Sequence, residues 1–285
     1  MPELPEVETM AVGLRSELLG RSLLSVEVIE AGVLRGTTLR EVSSIEGSRL
    51  IGLTRSGKFL LFHFSSGSVL LVHLKMTGRF RLVGRHDEPG RWERIHLTFE
   101  GWEKKLSFVD PRKFGYLAFI PPGGEGPVPL LYELGPDALQ VSRRELREIL
   151  GRSRRPVKAL LLDQRAVAGL GNIYVDESLH RAGIHPRTPA AEIAPEGVDR
   201  LHDAMQRVLK KAIDCGGSSV RTYRDSRGAP GTFQKHHRVY GRRGEPCPQC
   251  GAPIAYTRVA SRGTHLCPAC QKPPRLRRKR KRGKG

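Results

Sequence analysis

Two stretches of the 285-residue chain combine residue types that can do chemistry. The first is the start, Met1-Pro2-Glu3-Leu4-Pro5-Glu6-Val7-Glu8. Removal of Met1 would leave Pro2 at the terminus, with a secondary amine in place of a tertiary amide. An N-terminal amine titrates at about pH 7.7–8.0, so part of it is unprotonated at neutrality. Such an amine can attack an electrophilic sugar carbon and form an iminium. Glu3 beside it can deliver or collect a proton. The competing reading is structural: Pro5 as the first residue of a helix, with Glu6 and Glu8 suiting its dipole. The second stretch is Cys247-x2-Cys250 followed by Cys267-x2-Cys270, with sixteen residues between the pairs. Each pair can bite one metal, and two pairs close a tetrahedral site, which points to one structural zinc ion (Zn2+). A redox dithiol is the alternative.

Charge narrows the class of partner. Lys and Arg total 49 against 29 Asp and Glu, a net charge of +20, and the isoelectric point is near 10.4. An excess of this size points to a polyanion, most often nucleic acid. Residues 272–285 hold nine of these cations and no acid, which leaves +11 on the rest. That tail is expected to be a solvated, disordered charge run. No run of eighteen apolar residues suggests a membrane span, and no basic segment followed by an apolar one suggests a secretory leader. Paired cysteines suit a metal in a reducing compartment, and the unpaired Cys215 reads as a small buried apolar residue.

The elements that must position these groups change character along the chain. Val7, Met10, Ala11, Leu14 and Leu18 follow helical spacing, and Gly20 closes the segment. From about residue 23 to 120, short apolar runs alternate with turns such as Ser56-Gly57, Ser65-Ser66-Gly67-Ser68 and Glu100-Gly101. At least six strands result, among them 50–53, 59–64, 69–74, 95–99, 106–109 and 116–120, which argues for an antiparallel sandwich or barrel. Pro121-Pro122-Gly123-Gly124 interrupts the pattern as a linker. Helices follow: Ser142 and Glu145 form a capping box, and Pro156 and Pro195 each suit a helix start. Between them, Gly169-Leu170-Gly171-Asn172 reads either as a plain helix hairpin or as a turn whose backbone N–H groups approach a phosphate. Residues 217–236 form a polar, glycine-rich loop.

Taken together, Pro2–Glu8, Gly57-Lys58, Leu74–Gly78, Asp110–Gly115, Asp163–Glu177 and the four-cysteine finger occur in the order found in one family. The chain resembles the bacterial formamidopyrimidine-DNA glycosylases over residues 1 to about 271. The resemblance implies an α+β multidomain protein: an N-terminal antiparallel β-sandwich with flanking helices (1–121), a linker (122–134), a helical DNA-binding domain with a helix–two-turns–helix element (135–240), a zinc finger (241–271) and the basic tail (272–285). It implies a bifunctional repair enzyme that excises oxidised purines and cuts the strand by β,δ-elimination, with damaged double-stranded DNA as partner. Pro2 would be the nucleophile at C1′ and Glu3 the acid that protonates the opening sugar. Lys58 would handle the damaged nucleotide and β-elimination; Arg262 would contact DNA and assist δ-elimination. Met76, Arg112 and Phe114 would fill the void left by a flipped base, and Lys158 and Asn172 would touch backbone phosphates. A flipped base does leave such a void, and an apolar wedge with a guanidinium suits it. Without the resemblance, Met76 and Phe114 would read as sheet core. The expected setting is a monomer in the bacterial cytoplasm, associated with the nucleoid, without a membrane.

Three positions depart from the family's pattern: Trp92 replaces a common histidine, Lys113 a common arginine, and the 217–236 loop is not the commonest form. Two rival readings are a glycosylase of the same fold for oxidised pyrimidines and a non-catalytic zinc protein that binds DNA. Leu4 and the presence of the loop favour purines. The tail beyond the family's usual end should add nonspecific affinity. Deleting residues 272–285 is expected to lower the salt slope of DNA binding measured by titration; an unchanged slope would reject that role.

Overall fold

The computed structural model describes residues 1–220 and 223–274. Residues 275–285, most of the basic tail, lie outside them. The chain divides into two compact units. The first takes Met1–Val141, Asp163–Gly171 and Gln206–His236; the second takes Ser142–Leu162, Asn172–Met205 and the described residues from His237 onward.

Helix α1 (Leu4–Leu18) opens the first unit. Its buried stripe includes Val7, Met10, Ala11, Leu14 and Leu18, the expected set, and Gly20 takes a left-handed φ of 85° just past its end. Pro5 is the second helical residue, one place later than its expected position. Eight strands follow: β1 (Leu23–Val28), β2 (Leu50–Ser56), β3 (Phe59–Phe64), β4 (Val69–His73), β5 (Arg79–Gly84), β6 (Glu93–Phe99), β7 (Lys104–Val109) and β8 (Tyr116–Ile120). They form two antiparallel four-stranded sheets, ordered β1-β6-β7-β5 and β2-β3-β4-β8. A short helix, α2 (Leu39–Ser43), lies between β1 and β2 in the chain, and α3 (Pro129–Tyr132) follows β8.

One core is shared by both sheets and α1. Val26, Ile95, Leu97, Phe80 and Phe108 come from one sheet, Leu53, Leu60, Phe62, Leu70 and Leu117 from the other. The second sheet is covered on its far face too: Phe59, Leu71, Tyr116, Ala118 and Ile120 pack with Val128 and the half-buried Leu130, Leu131 and Leu134. This explains why β3, β4 and β8 read as nearly continuous apolar runs instead of alternating ones. It also leaves the ends of β4 and β8, and the turns beside them, as rigid mounts for polar groups.

In the second unit, α4 (Arg143–Gly151) begins at the expected capping box. Glu145 N–H donates to Ser142 Oγ at 3.2 Å, and Ser142 N–H to Glu145 Oε2 at 2.8 Å. Helix α5 (Val157–Leu161) follows Pro156, and α6 (Asn172–Ala182) starts at Asn172 itself. Helix α7 (Pro195–Asp214) starts at its proline in the second unit and continues, from Gln206, as part of the first, ending before Gly216. Cys215, expected to be buried, is half-buried there. The finger carries a hairpin of β9 (Ala255–Val259) and β10 (Arg262–Leu266). Its tip residues Ala260 and Ser261 hold left-handed φ angles of 49° and 60°.

Candidate active site

The N-terminal segment is held by close backbone approach. Leu4 N–H donates to Gly169 O at 3.0 Å. A Cβ on Gly169 would lie 2.5 Å from Leu4 Cδ1, and one on Gly171 would lie 2.2 Å from Glu3 Cδ. The two glycines therefore make room for Leu4 and for the Glu3 side chain. The close approach that the Gly-x-Gly pattern suggested is thus one of the N-terminal segment to the turn, within the same unit, and Gly169 N–H donates to Gln164 Oε1 at 2.9 Å. Pro2 and Glu3 are both buried. Behind them, the buried Glu6 accepts from Glu3 N–H at 2.8 Å and from Ser218 N–H at 2.7 Å. Tyr223 donates its hydroxyl to Glu6 O at 3.0 Å. Burial, with the carboxylates of Glu6 and Asp225 adding, pushes the Tyr223 phenol well above its ordinary value, so it stays a donor. Ser218 and Tyr223 of the 217–236 stretch are thus fastened to the start of α1. Sequence reading assigned Glu6 only to the helix dipole.

Lys58 follows Gly57, whose φ of 56° makes the tight β2–β3 turn. Only 7% of Lys58 is exposed. The turn is braced from below by Arg55, which donates to Gly57 O at 3.0 Å, to Glu8 Oε2 at 2.7 Å and to both oxygens of Asp137 at 2.5 and 3.1 Å. A bidentate guanidinium–carboxylate pair of this kind fixes orientation as well as distance.

Met76, Arg112 and Phe114 come together on the surface. Arg112 Nη1 lies 3.3 Å from Met76 Sδ, and its guanidinium sits 4.7 Å from the centroid of the Phe114 ring. Met76 is 39% exposed and Phe114 51%, so neither is the sheet core that residue type alone suggests. The mount is Asp110, fully buried at the end of β7. Its carboxylate accepts from Phe114 N–H at 2.8 Å, Gly115 N–H at 2.6 Å, Arg112 N–H at 3.2 Å and the Thr77 hydroxyl. One carboxylate thereby seats both turns that carry the three side chains. Trp92, at the unusual position, is exposed, with the Arg91 guanidinium 5.8 Å from its ring.

Beside this group lies a cavity of about 560 Å³ lined by Arg35, Lys75, Lys113, Tyr116, Met76 and Phe114, among others. Arg35 lies 4.7 Å and Lys75 5.4 Å from the centroid of the Tyr116 ring, where the π face favours cations. Buried His73 stacks on the same ring at 5.6 Å, and its Nδ1 accepts from Lys75 N–H at 2.9 Å. That bond leaves the proton on Nε2, making this nitrogen a donor. Burial, reinforced by Lys75, Lys58 and Arg35, pushes His73 down to about 3. Sequence reading passed over His73 because a histidine at the end of an apolar strand is usually core.

In the second unit, Lys158 has a different place from the expected phosphate contact. It is fully buried, and its ammonium donates to Asp176 Oδ1 at 2.6 Å, Thr264 Oγ1 at 2.8 Å and Gly263 O at 3.0 Å. An ammonium with no exposed surface and three oxygen partners is a strut. Half-buried Asn172 donates to the same Gly263 O at 2.9 Å, and Asp176 Oδ2 accepts from His265 N–H at 2.9 Å. Lys158, Asn172 and Asp176 together fix β10, whose first residue, Arg262, is exposed.

The four cysteine sulfurs lie within 4.8 Å of one another, with separations of 3.4, 3.4 and 4.0 Å among neighbours. Zinc–sulfur bonds of about 2.3 Å in a tetrahedron place sulfurs about 3.8 Å apart, so the cluster fits one structural zinc with no open position.

An α+β body with antiparallel sheets, a helical unit and a four-cysteine zinc finger defines the class of protein. Three family models match in chain order: the formamidopyrimidine-DNA glycosylase N-terminal domain over residues 1–117, the formamidopyrimidine-DNA glycosylase H2TH domain over 134–224, and the zinc finger found in FPG and IleRS over 244–273. A formamidopyrimidine-DNA glycosylase of Thermus thermophilus is 46% identical over 279 residues, 95% of this chain and 98% of the relative. That of Bacillus subtilis is 40% identical over 276 residues, 95% and 99% of the two chains. The crystal structure of MutM (Fpg) from Thermus thermophilus superposes with a TM-score of 0.85 at 44% identity, over 95% of this chain and 98% of the other. A complex of Lactococcus lactis Fpg with DNA containing an abasic site gives 0.86 at 35% identity, over 95% and 100%. The chain belongs to the formamidopyrimidine-DNA glycosylase family. Among the described residues no helix is long and apolar enough to cross a membrane.

An unfolded histidine titrates near pH 6.5, whereas native His73 titrates near 3. The native value is the lower one, so its contribution to stability is present above about pH 6.5 and is lost as pH falls toward 3. The His73 ring resonances should therefore stay flat between about pH 8 and 5 in an NMR titration. A midpoint inside that window would contradict the assignment.

Proposed function

We propose that this protein is a bifunctional DNA glycosylase and abasic-site lyase of base excision repair that excises oxidised purines, 8-oxoguanine and formamidopyrimidines, from duplex DNA. The observation that carries the reading is the seating of Glu3 and Leu4 against the glycine turn, with Leu4 N–H on Gly169 O and Pro2 buried next to them in the chain. It is supported by membership of the family and by the exposed Met76, Arg112 and Phe114 group.

After loss of Met1, the Pro2 nitrogen attacks C1′ of the damaged nucleotide. The bond from C1′ to the base nitrogen breaks, and the base leaves with that electron pair and takes up the proton that the Pro2 nitrogen gives up after attack. Glu3 protonates the ring oxygen as the sugar opens, which leaves an iminium between Pro2 and C1′. The iminium acidifies the C2′ hydrogen, so loss of that proton expels the 3′ phosphate; a second elimination expels the 5′ phosphate. No diffusible cofactor is required, because the covalent intermediate activates the sugar. Lys58 assists the nucleotide and β-elimination, and Arg262 contacts DNA and assists δ-elimination. Met76, Arg112 and Phe114 fill the space vacated by the flipped nucleotide. Asn172, at the start of α6, contributes a phosphate contact, while Lys158 serves β10 from the interior. The 217–236 loop covers the lesion. The enzyme acts as a monomer on damaged double-stranded DNA in the bacterial cytoplasm, at the nucleoid.

Borohydride trapping on a duplex containing 8-oxoguanine tests the reading. The unmodified protein should give a covalent adduct, and Pro2→Gly, which leaves a primary amine in place of the ring nitrogen, should lower its yield about tenfold or more. Trapping of equal yield after Pro2→Gly would reject the mechanism. A matched duplex with an oxidised pyrimidine, cleaved faster than the purine lesion, would reject the substrate class while leaving the chemistry intact.

A further inference from the structure

Helix α6 presents Asn172, Asp176 and His180 at intervals of four, and side chains so spaced share one face. The first two hold β10 of the finger. The third reaches the metal cluster: fully buried His180 places Nε2 3.3 Å from Cys247 Sγ. We propose that His180 is an outer-sphere partner of the zinc site, donating its Nε2 hydrogen to the Cys247 thiolate and so retaining the metal.

A zinc-bound thiolate has no hydrogen to give, so the imidazole nitrogen must be the donor in this pair. The proton on Nε2 leaves Nδ1 bare, and Nδ1 is buried without a hydrogen-bond partner among the described residues. A bare acceptor in that place costs less than a bare N–H would, so both ends of the ring agree on one tautomer. The need for a donor follows from charge. Four thiolates around one divalent ion carry roughly two net negative charges, and each sulfur must be compensated by solvent or by N–H groups. Cys250 is exposed to solvent, but Cys247 and Cys267 are buried. Cys267 Sγ receives Cys270 N–H at 3.4 Å. Cys247 Sγ has Gln249 N–H at a longer 3.5 Å, so the histidine is its nearer donor. Groups that hydrogen-bond to a metal's ligands orient them and tune the bond.

The test reads the metal and not the repair reaction, so its failure is independent of the proposed activity. Zinc release to a chelating dye should be about tenfold faster from His180→Leu than from the unmodified protein, the lower end of effects seen for outer-sphere partners. His180→Gln, whose amide nitrogen can occupy the place of Nε2, should release zinc within about threefold of the unmodified rate. In the cobalt-substituted forms, the sulfur-to-metal charge-transfer band should shift for Leu and stay for Gln. Where His180→Leu does not fold, the unmodified protein loaded with cadmium-113 decides: the Nε2 proton should show scalar coupling to the metal through the hydrogen bond. Unmodified release kinetics in a folded His180→Leu, or no such coupling, would overturn the assignment.

Discussion

The first unit depends on a backbone approach that only glycine permits. Gly169, at a φ of 99°, brings its carbonyl to Leu4 N–H, and Gly171 leaves space that the Glu3 side chain occupies. A side chain at either place would meet the N-terminal segment at less than van der Waals distance. The consequence is chemical as well as architectural. Termini are ordinarily the loosest part of a domain, yet the terminal amine proposed as nucleophile would have to be held against its target within a fraction of an ångström. Here the start of the chain is hydrogen-bonded through Glu3 N–H and Leu4 N–H and buried through Pro2, Glu3 and Leu4.

Buried charged groups repeat this anchoring elsewhere, each satisfied by several partners. Asp110 seats the exposed Met76, Arg112 and Phe114 group, and Glu6 joins α1 to the 217–236 loop. In the second unit, Glu177 accepts the backbone N–H groups of Arg238, Val239 and Tyr240, while Asp176 and Lys158 hold β10. A buried charge that lost one such partner would be left uncompensated, which is far more costly than the pair is worth. The arrangement converts sequence-distant segments into fixed platforms from which exposed side chains project.

What could be read from the chain in advance follows the range of the interactions. The α1 stripe, the Ser142–Glu145 cap, the helix starts at Pro156 and Pro195, and the cysteine cluster are local, and their spacing carries them. Strands β3, β4 and β8 are bracketed by turn residues and were equally legible. Strand β5 was not, because Arg79 and Arg81 break its apolar run. Residue type alone, by contrast, makes Met76 and Phe114 sheet core; the resemblance made them void-filling residues, and their exposure rests on turns seated by Asp110. Lys158 was given a phosphate contact by the resemblance alone; its burial could not be read locally, because it depends on Asp176 and on a strand from the finger. His73, Glu6 and His180 share that difficulty, since each acquires its role from a neighbour far along the chain.

The most direct measurement is borohydride trapping by Gly171→Ala. The new Cβ would meet the Glu3 side chain, at 2.2 Å from Cδ, 2.4 Å from Oε1 and 2.6 Å from Cγ, so that side chain must swing aside and take its carboxylate out of place. The account predicts a folded variant that binds lesion DNA with unchanged affinity and forms the covalent adduct about a hundredfold more slowly, the lower end for loss of a positioned acid–base group. A folded variant that traps DNA as fast as the unmodified protein would contradict it.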